Sequence, residues 1–198
     1  MAAPLSKDTP NFEGVWNLNR KLSNDPDKIF ELQGVPWVVR KILNYASLTL
    51  NISQAISSAN SKPESLDTPS CNNVSEASVT TLHIKQTVNP GGFDSEGYYP
   101  INGEEKEYSL PIFGDISMRL RYVNTSEISD EFLRQKLSEG SPSKTVIDEI
   151  AHNKTKGWDA RVIWGFELID GHRYLTRNVI TTKDEKAVKS RLVYDFHC

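Results

Sequence analysis

A chain of 198 residues has enough material for one sizeable core and too little for two comfortable domains. Hydrophobic residues make up 37%, charged residues 25%, and the formal net charge is -3. That balance lacks the basic face a phosphate-tracking protein needs, so nucleic acid is excluded as an expected partner. The most apolar stretch, Val35 to Ile52, carries Arg40, Lys41 and Asn44, and nothing approaches the ~20 uninterrupted apolar residues of a membrane helix, so no integral membrane association is expected.

Residues 1–10 (MAAPLSKDTP) are small, polar and proline-bearing and read as a flexible N-terminal tail. They lack the basic start and apolar core of a secretory signal, which points to a cytoplasmic location. Cys71 and Cys198, as free thiols, suit a reducing compartment; a disulfide between them is the alternative. The Asn-x-Ser/Thr triplets at Asn51, Asn73, Asn124 and Asn153 are then chance matches.

Phe12 to Arg20 alternates and predicts a strand. Ser23, Asn24 or Asp25 can cap a short helix with Pro26 at its first position, Ile29, Phe30 and Leu32 on its apolar side, and Gly34 ending it. Pro36 opens a second helix, with Val38, Val39, Ile42 and Leu43 at helical spacing. Ser47–Ser53 predicts the second strand. Residues 55–77, rich in Ser, Asn and Pro, predict a long flexible loop. Further strands are predicted at Ser78–Val88, Glu105–Leu110 and Asp115–Asn124. Residues 127–139 predict a helical insertion capped by Ser129. Residues 144–152 read as a helical turn or a strand; the NKTKG turn and the long alternating strand after them favour strand. Trp158–Ile169, His172–Thr182 and Ala187–Phe196 complete a meander, with Asp170-Gly171 the strongest hairpin signal in the chain. The expected fold is mainly β, a single antiparallel up-and-down β-barrel of about eight to ten strands over residues 11–198, with a helix pair after the first strand. Closure removes the edges that so many strands would otherwise expose.

FEGVWNLNRKLS followed by LQGVPWVVRKILNYASLTLNIS resembles the start of intracellular fatty-acid-binding proteins. Phe12, Gly14 and Trp16 match their first strand, Arg40 and Lys41 the dipeptide in their second helix, and Leu48 to Ile52 the strand that follows. The G-x-W element is shared with lipocalins, which widens the resemblance to the calycin group. Trp164–Glu167 (WGFE) and Arg191–Phe196 (RLVYDF) resemble segments of fungal lipocalin-like proteins of secondary metabolism. The resemblance implies a barrel lidded by two helices around a small hydrophobic or aromatic ligand. Because some calycin-like proteins of fungal metabolite pathways act as cofactor-free cyclases, it also implies a possible enzyme that needs no cofactor. Fatty-acid binders end in R-x-Y, whose Arg and Tyr hold the carboxylate. Here Arg191 and Tyr194 are three apart, which sends them to opposite faces of a strand.

Strand parity indicates what points inward. Trp158, Ala160, Val162, Trp164, Phe166 and Leu168 form an unbroken apolar face. A two-residue turn at Asp170-Gly171 pairs Leu168 with Arg173, Phe166 with Leu175 and Trp164 with Arg177. A loop at Lys183–Lys186 pairs Arg177 with Leu192 and Leu175 with Tyr194. The NKTKG turn leaves two registers open. One places Asp148, Ile150 and His152 inward, the other Glu149 and Ala151. Ile116, Met118, Leu120 and Tyr122 form another inner face. The candidate catalytic residues are therefore Arg177, Tyr194, Asp148, Glu149 and His152. Tyr194, one of the acids and His152 would move protons, and Arg177 or Arg173 would stabilise a developing phenolate or enolate. Arg173, Trp164, Phe166, Leu175, Leu192, Tyr122, Met118 and, on the second helix, Trp37 form the expected ligand-binding set. The four histidines and two cysteines have no metal-ligand spacing, and no phosphate-loop or dinucleotide fingerprint is present. Neither metal nor cofactor is expected. Two functions fit: a cofactor-free cyclase or isomerase, and a carrier of fatty acid or a similar amphiphile. The oligomeric state is not legible.

Overall fold

The computed structural model describes residues 1–58, 78–140 and 142–198. Ten strands form one sheet: β1 (Gly14–Leu18), β2 (Ser47–Ser58), β3 (Ser78–Asn89), β4 (Ser95–Pro100), β5 (Lys106–Leu110), β6 (Gly114–Asn124), β7 (Thr145–Asn153), β8 (Trp158–Ile169), β9 (His172–Lys183) and β10 (Lys186–Phe196). The order is β4-β3-β2-β1-β10-β9-β8-β7-β6-β5, an up-and-down meander joined between its first and last strands. Every pairing is antiparallel. The result is a nearly closed barrel. Its two free edges, β4 and β5, face each other across a seam bridged by side chains. The Tyr99 and Tyr108 rings lie 4.9 Å apart, and the Tyr108 hydroxyl donates to the Tyr98 carbonyl at 3.2 Å.

Strand β4 is absent from the sequence reading. Its cavity-side positions are Ser95, Gly97 and Tyr99, and two of the three are too small to make an apolar alternation. The Asp170-Gly171 hairpin behaves as its sequence demands. Both residues take positive φ, 50° and 76°, the geometry whose twist matches the flanking strands.

Helices α1 (Asp27–Leu32) and α2 (Trp37–Tyr45) cover one mouth of the barrel. Asp25 accepts the Asp27 N–H at 2.9 Å and so satisfies one free amide of the first turn. Arg40 of α2 reaches back to Asp27 at 2.7 Å and to Glu31, tying the pair together. Val35, Leu43 and Ala46 pack with Val88, Phe93, Ile112 and Phe113 of the rim below. No helix among the described residues is long and apolar enough to cross a membrane.

Three expectations change. The first concerns loop 55–77: residues 55–58 continue β2, and the remainder, with Cys71 and the Asn73 triplet, lies outside the described residues. The insertion at 127–139 is two single turns, α3 (Glu131–Arg134) and α4 (Leu137–Gly140), broken at Lys136 with φ 60°. Its cap is Asp130 rather than Ser129, because Asp130 stands at the position whose carboxylate reaches the Leu133 N–H, at 3.1 Å. The break lets Ile128, Leu133 and Leu137 all reach Val123, Val146 and Ile163 on the barrel's outer wall. Each such burial contributes about 1.5–3 kcal/mol gross. Gly165 makes the docking possible, since a Cβ there would stand 2.7 Å from the Leu137 side chain.

The third change is the N-terminal segment. Residues 1–10 pack on the barrel instead of hanging loose. Ala3 and Thr9 are buried, Ala3 N–H donates to the Arg173 carbonyl at 2.7 Å, and Phe196 N–H donates to the Met1 carbonyl at 2.8 Å. Backbone groups left open near the ends of β9 and β10, an acceptor on the first and a donor on the second, give the segment partners that composition does not reveal.

Candidate functional site

The interior divides into a filled end and a hollow end. At the filled end Trp16 packs edge-on against Phe166 and Phe196, and Phe12 stacks on Phe166 at 5.6 Å. The Trp16 indole N–H is satisfied by the Phe12 carbonyl at 2.8 Å. Leu175 is fully buried here, in the same core cluster. Arg173 is held here as well. Its Nε donates to the Gly140 carbonyl at 2.7 Å, its Nη1 donates to the Pro4 carbonyl at 3.2 Å, and its guanidinium lies 4.8 Å from the Phe166 ring centre. Phe166, Leu175 and Arg173 thus have the parity predicted for them but close the barrel floor and do not line the cavity.

The hollow end is a cavity of about 210 Å³ between the floor and the α1–α2 lid. A single water needs only ~10–15 Å³ by this measure, so the space is sized for an organic molecule. Its wall is mainly aliphatic and aromatic, including Leu50, Ile84, Met118, Leu120, Val162 and Trp158. Strand alternation puts these residues inside: β8 contributes Trp158, Ala160, Val162 and Trp164, and β6 contributes Ile116, Met118 and Leu120.

One charged pole interrupts the mainly apolar wall. The β7–β8 register pairs Glu149 with Val162 and Ile147 with Trp164, which resolves the two alternatives. Glu149 and Ala151 face inward; Asp148 and His152 do not. Glu149 Oε2 accepts the Trp164 indole N–H at 2.6 Å and an Arg177 N–H at 3.2 Å. The Arg177 guanidinium lies over the Trp164 ring, 4.1 Å from its centre. Arg177 pairs with Leu192 across β9 and β10, and Leu175 pairs with Tyr194, as the hairpin parity predicts. Glu149 and Arg177 are the only charged lining residues among those described.

Electrostatics follow from this enclosure. Burial pulls the Arg177 guanidinium down, but Glu149, Tyr194 and Tyr99 together hold it above its ordinary value, firmly cationic. Burial pushes the Tyr194 phenol up, against the opposing pull of Arg177. Tyr99 is pushed up to about 12, first by burial and then by the nearby Glu149 carboxylate. Both phenols are therefore neutral hydrogen-bond donors at ordinary pH.

The remaining expected site residues lie elsewhere. Asp148 faces the outer wall, where it is enclosed by Arg161 at 2.8 Å and Arg121 at 3.2 Å. His152, also outward, pairs with Asp159 at 2.6 Å on the surface. Trp37 is exposed on the lid with Lys41 beside it, 5.6 Å from the ring centre. Tyr122 packs against the core without lining the cavity. Trp164, Leu192 and Met118 do line it. Tyr99, Gln33, Gln86 and Ser95 are lining residues that the sequence reading missed. The Gly-Tyr-Tyr run after a glycine-rich turn was the one available signal for Tyr99.

Solved structures with this architecture include the REP1-NXSQ fatty acid transporter (TM-score 0.53, 16% identity, 96% of this chain and 98% of that one). A second is the Schistosoma mansoni fatty acid binding protein in complex with arachidonic acid (0.52, 13%, 94% and 96%). The fold is a calycin-type barrel. In sequence, the chain is similar over nearly its whole length to two curated proteins of fungi. It is 25% identical to "Probable pericyclase scpY" of Mollisia scopiformis, over 98% of this chain and 94% of that protein. It is 26% identical to "Pericyclase pydY" of an Acremonium species, over 99% and 97%. No family model matches the chain. Within this barrel the R-x-Y clamp is absent. Leu192 stands two residues before the inward Tyr194, and Arg191 turns outward to Glu167 at 3.2 Å.

Proposed function

We propose that this protein is a cofactor-independent cyclase. It holds a largely apolar substrate, of the polyketide or terpenoid kind, in the cavity and promotes an intramolecular ring closure or isomerisation in the cytoplasm. The observation that carries this reading is the convergence of Arg177, Tyr194 and Glu149 on one side of a largely apolar cavity. The end-to-end likeness to two pericyclases supports it.

Substrate and product of such a closure are isomers, so the reaction consumes no co-reactant. The apolar wall would fold a flexible chain so that the bond-forming carbons approach, replacing an entropic barrier by binding. Arg177 and Tyr194 would donate hydrogen bonds to a substrate carbonyl and stabilise the enolate or phenolate character that develops there. Glu149 positions Arg177 and is itself oriented by Trp164. The proton-transfer roles expected for Asp148 and His152 fall away, since both side chains lie outside the cavity.

The test is incubation with the substrates of the two curated pericyclases, resolving products by chiral chromatography. The expected result is faster conversion to a single stereoisomer. Replacing Arg177 by Gln should slow it by roughly 10²–10³-fold, as removal of a preorganised donor does elsewhere. Tight binding of those compounds without conversion would overturn the enzyme reading in favour of a carrier, which the barrel architecture alone also fits.

A further inference from the structure

We propose that Glu149 sets the ligand class of this cavity, making it accept neutral, carbonyl-bearing molecules and refuse carboxylates. This rests on the reading that the cavity is the ligand site.

The argument is one of charge count. The cavity wall holds one cation and one anion among its described residues, and they are paired at 3.2 Å. Arg177 is thereby offset before any ligand arrives. A carboxylate entering beside it would bring a second negative charge next to Glu149 and leave the apolar interior with an uncompensated charge. Such a ligand would lose its hydration without gaining a free cation in exchange. A neutral carbonyl faces no such penalty. It can accept from the guanidinium edge that Arg177 presents to the cavity, where 19% of its side chain remains accessible, and from the neutral phenols of Tyr194 and Tyr99. The carboxylate cannot swing out of the way, because Trp164 holds Oε2 at 2.6 Å and the Arg177 guanidinium covers the Trp164 ring. Nor do the described residues supply a second cation to tip the balance, since Leu192 occupies the place opposite Arg177.

The experiment compares two ligands of one shape, decanoate and methyl nonyl ketone, in which a methyl group replaces the charged oxygen. Affinities are read by displacement of Nile red from the intact protein near pH ~8, where the free carboxylate is ionised. The unmodified protein should bind the ketone at least about tenfold more tightly than the carboxylate. Glu149→Gln keeps an acceptor for Trp164 and Arg177 but removes the negative charge. It should raise decanoate affinity roughly tenfold and leave the ketone within about twofold.

Equal affinities in the unmodified protein, or an unchanged ratio in Glu149→Gln, would overturn the proposal. The first measurement needs no variant, so a misfolded Glu149→Gln would not shield it. Failure of both ligands to bind would overturn the cavity as a ligand site as well. Ketone selectivity without turnover of the pericyclase substrates would leave this proposal standing and remove the cyclase reading alone.

Discussion

Asp148 and Glu149 are consecutive on β7 and differ by one methylene, yet they serve two different regions. Outside the barrel, Asp148 is fully buried under two arginines, Arg121 and Arg161, whose side chains are 50% and 32% exposed. Two cations surround one anion there, and they staple β6, β7 and β8 together with water close by. Inside, Glu149 meets a single arginine, and the pair looks onto an apolar space. The same chemistry thus gives a structural clamp on one face and a site with polarity but no net charge on the other. Exposure of the partners makes the difference, since a pair screened by water is worth little and one removed from water is decisive for its neighbours.

The largest expected effect comes from breaking the inner pair. Arg177→Leu leaves Glu149 buried without its cation and should cost about 3–5 kcal/mol of stability in urea denaturation. A loss under ~1 kcal/mol would mean that the pair is effectively solvated and that the contrast with the outer cluster is false. Asp148→Asn should cost on the order of 1–2 kcal/mol, because both arginines keep access to water. Its ligand selectivity should match the unmodified protein, and a change there would mean that the two faces are coupled.

A different effect is confined to alkaline pH. The Tyr99 phenol is raised to about 12 in the folded chain, against about 10 when unfolded. Between these values the unfolded chain has given up a proton that the folded chain keeps, so stability falls as pH rises from about 10 to about 12. Melting temperature followed across that window should drop less steeply in Tyr99→Phe. Smallest of all, Trp37→Ser on the exposed lid face should stay within about 0.5 kcal/mol and leave cavity affinity unchanged. A loss of affinity there would return Trp37 to the site.

The barrel was legible because the hairpin at Asp170-Gly171 admits one register. From it the inward positions of Trp164 and Arg177 follow by counting, and the loop at Lys183–Lys186 carries the count on to Leu192 and Tyr194; all four line the cavity. The choice between Asp148 and Glu149 was not legible. The NKTKG turn closes in either of two ways, and acids stand at both parities of β7. How far the hollow extends was not legible either. Phe166, Leu175 and Arg173 share the inward parity, but alternation says nothing about where packed side chains meet across the barrel. Tyr99 was missed for want of β4, whose small inward residues give no period. The N-terminal segment looked loose because its anchoring is through backbone bonds to β9 and β10, which composition does not encode.

The seam between β4 and β5 has a consequence for how the molecule behaves in a crowd. Unpaired strand edges are templates for strand addition by other chains, and natural barrels conceal them. Here the two edges are short and turned toward one another, with the Tyr99 and Tyr108 rings in the gap. Those rings occupy the space an added strand would need. If they parted, one internal gap would become two exposed templates. The same tyrosine that forms part of the cavity wall thus also stands guard at the sheet's two free edges, and its loss is expected to raise the tendency to aggregate.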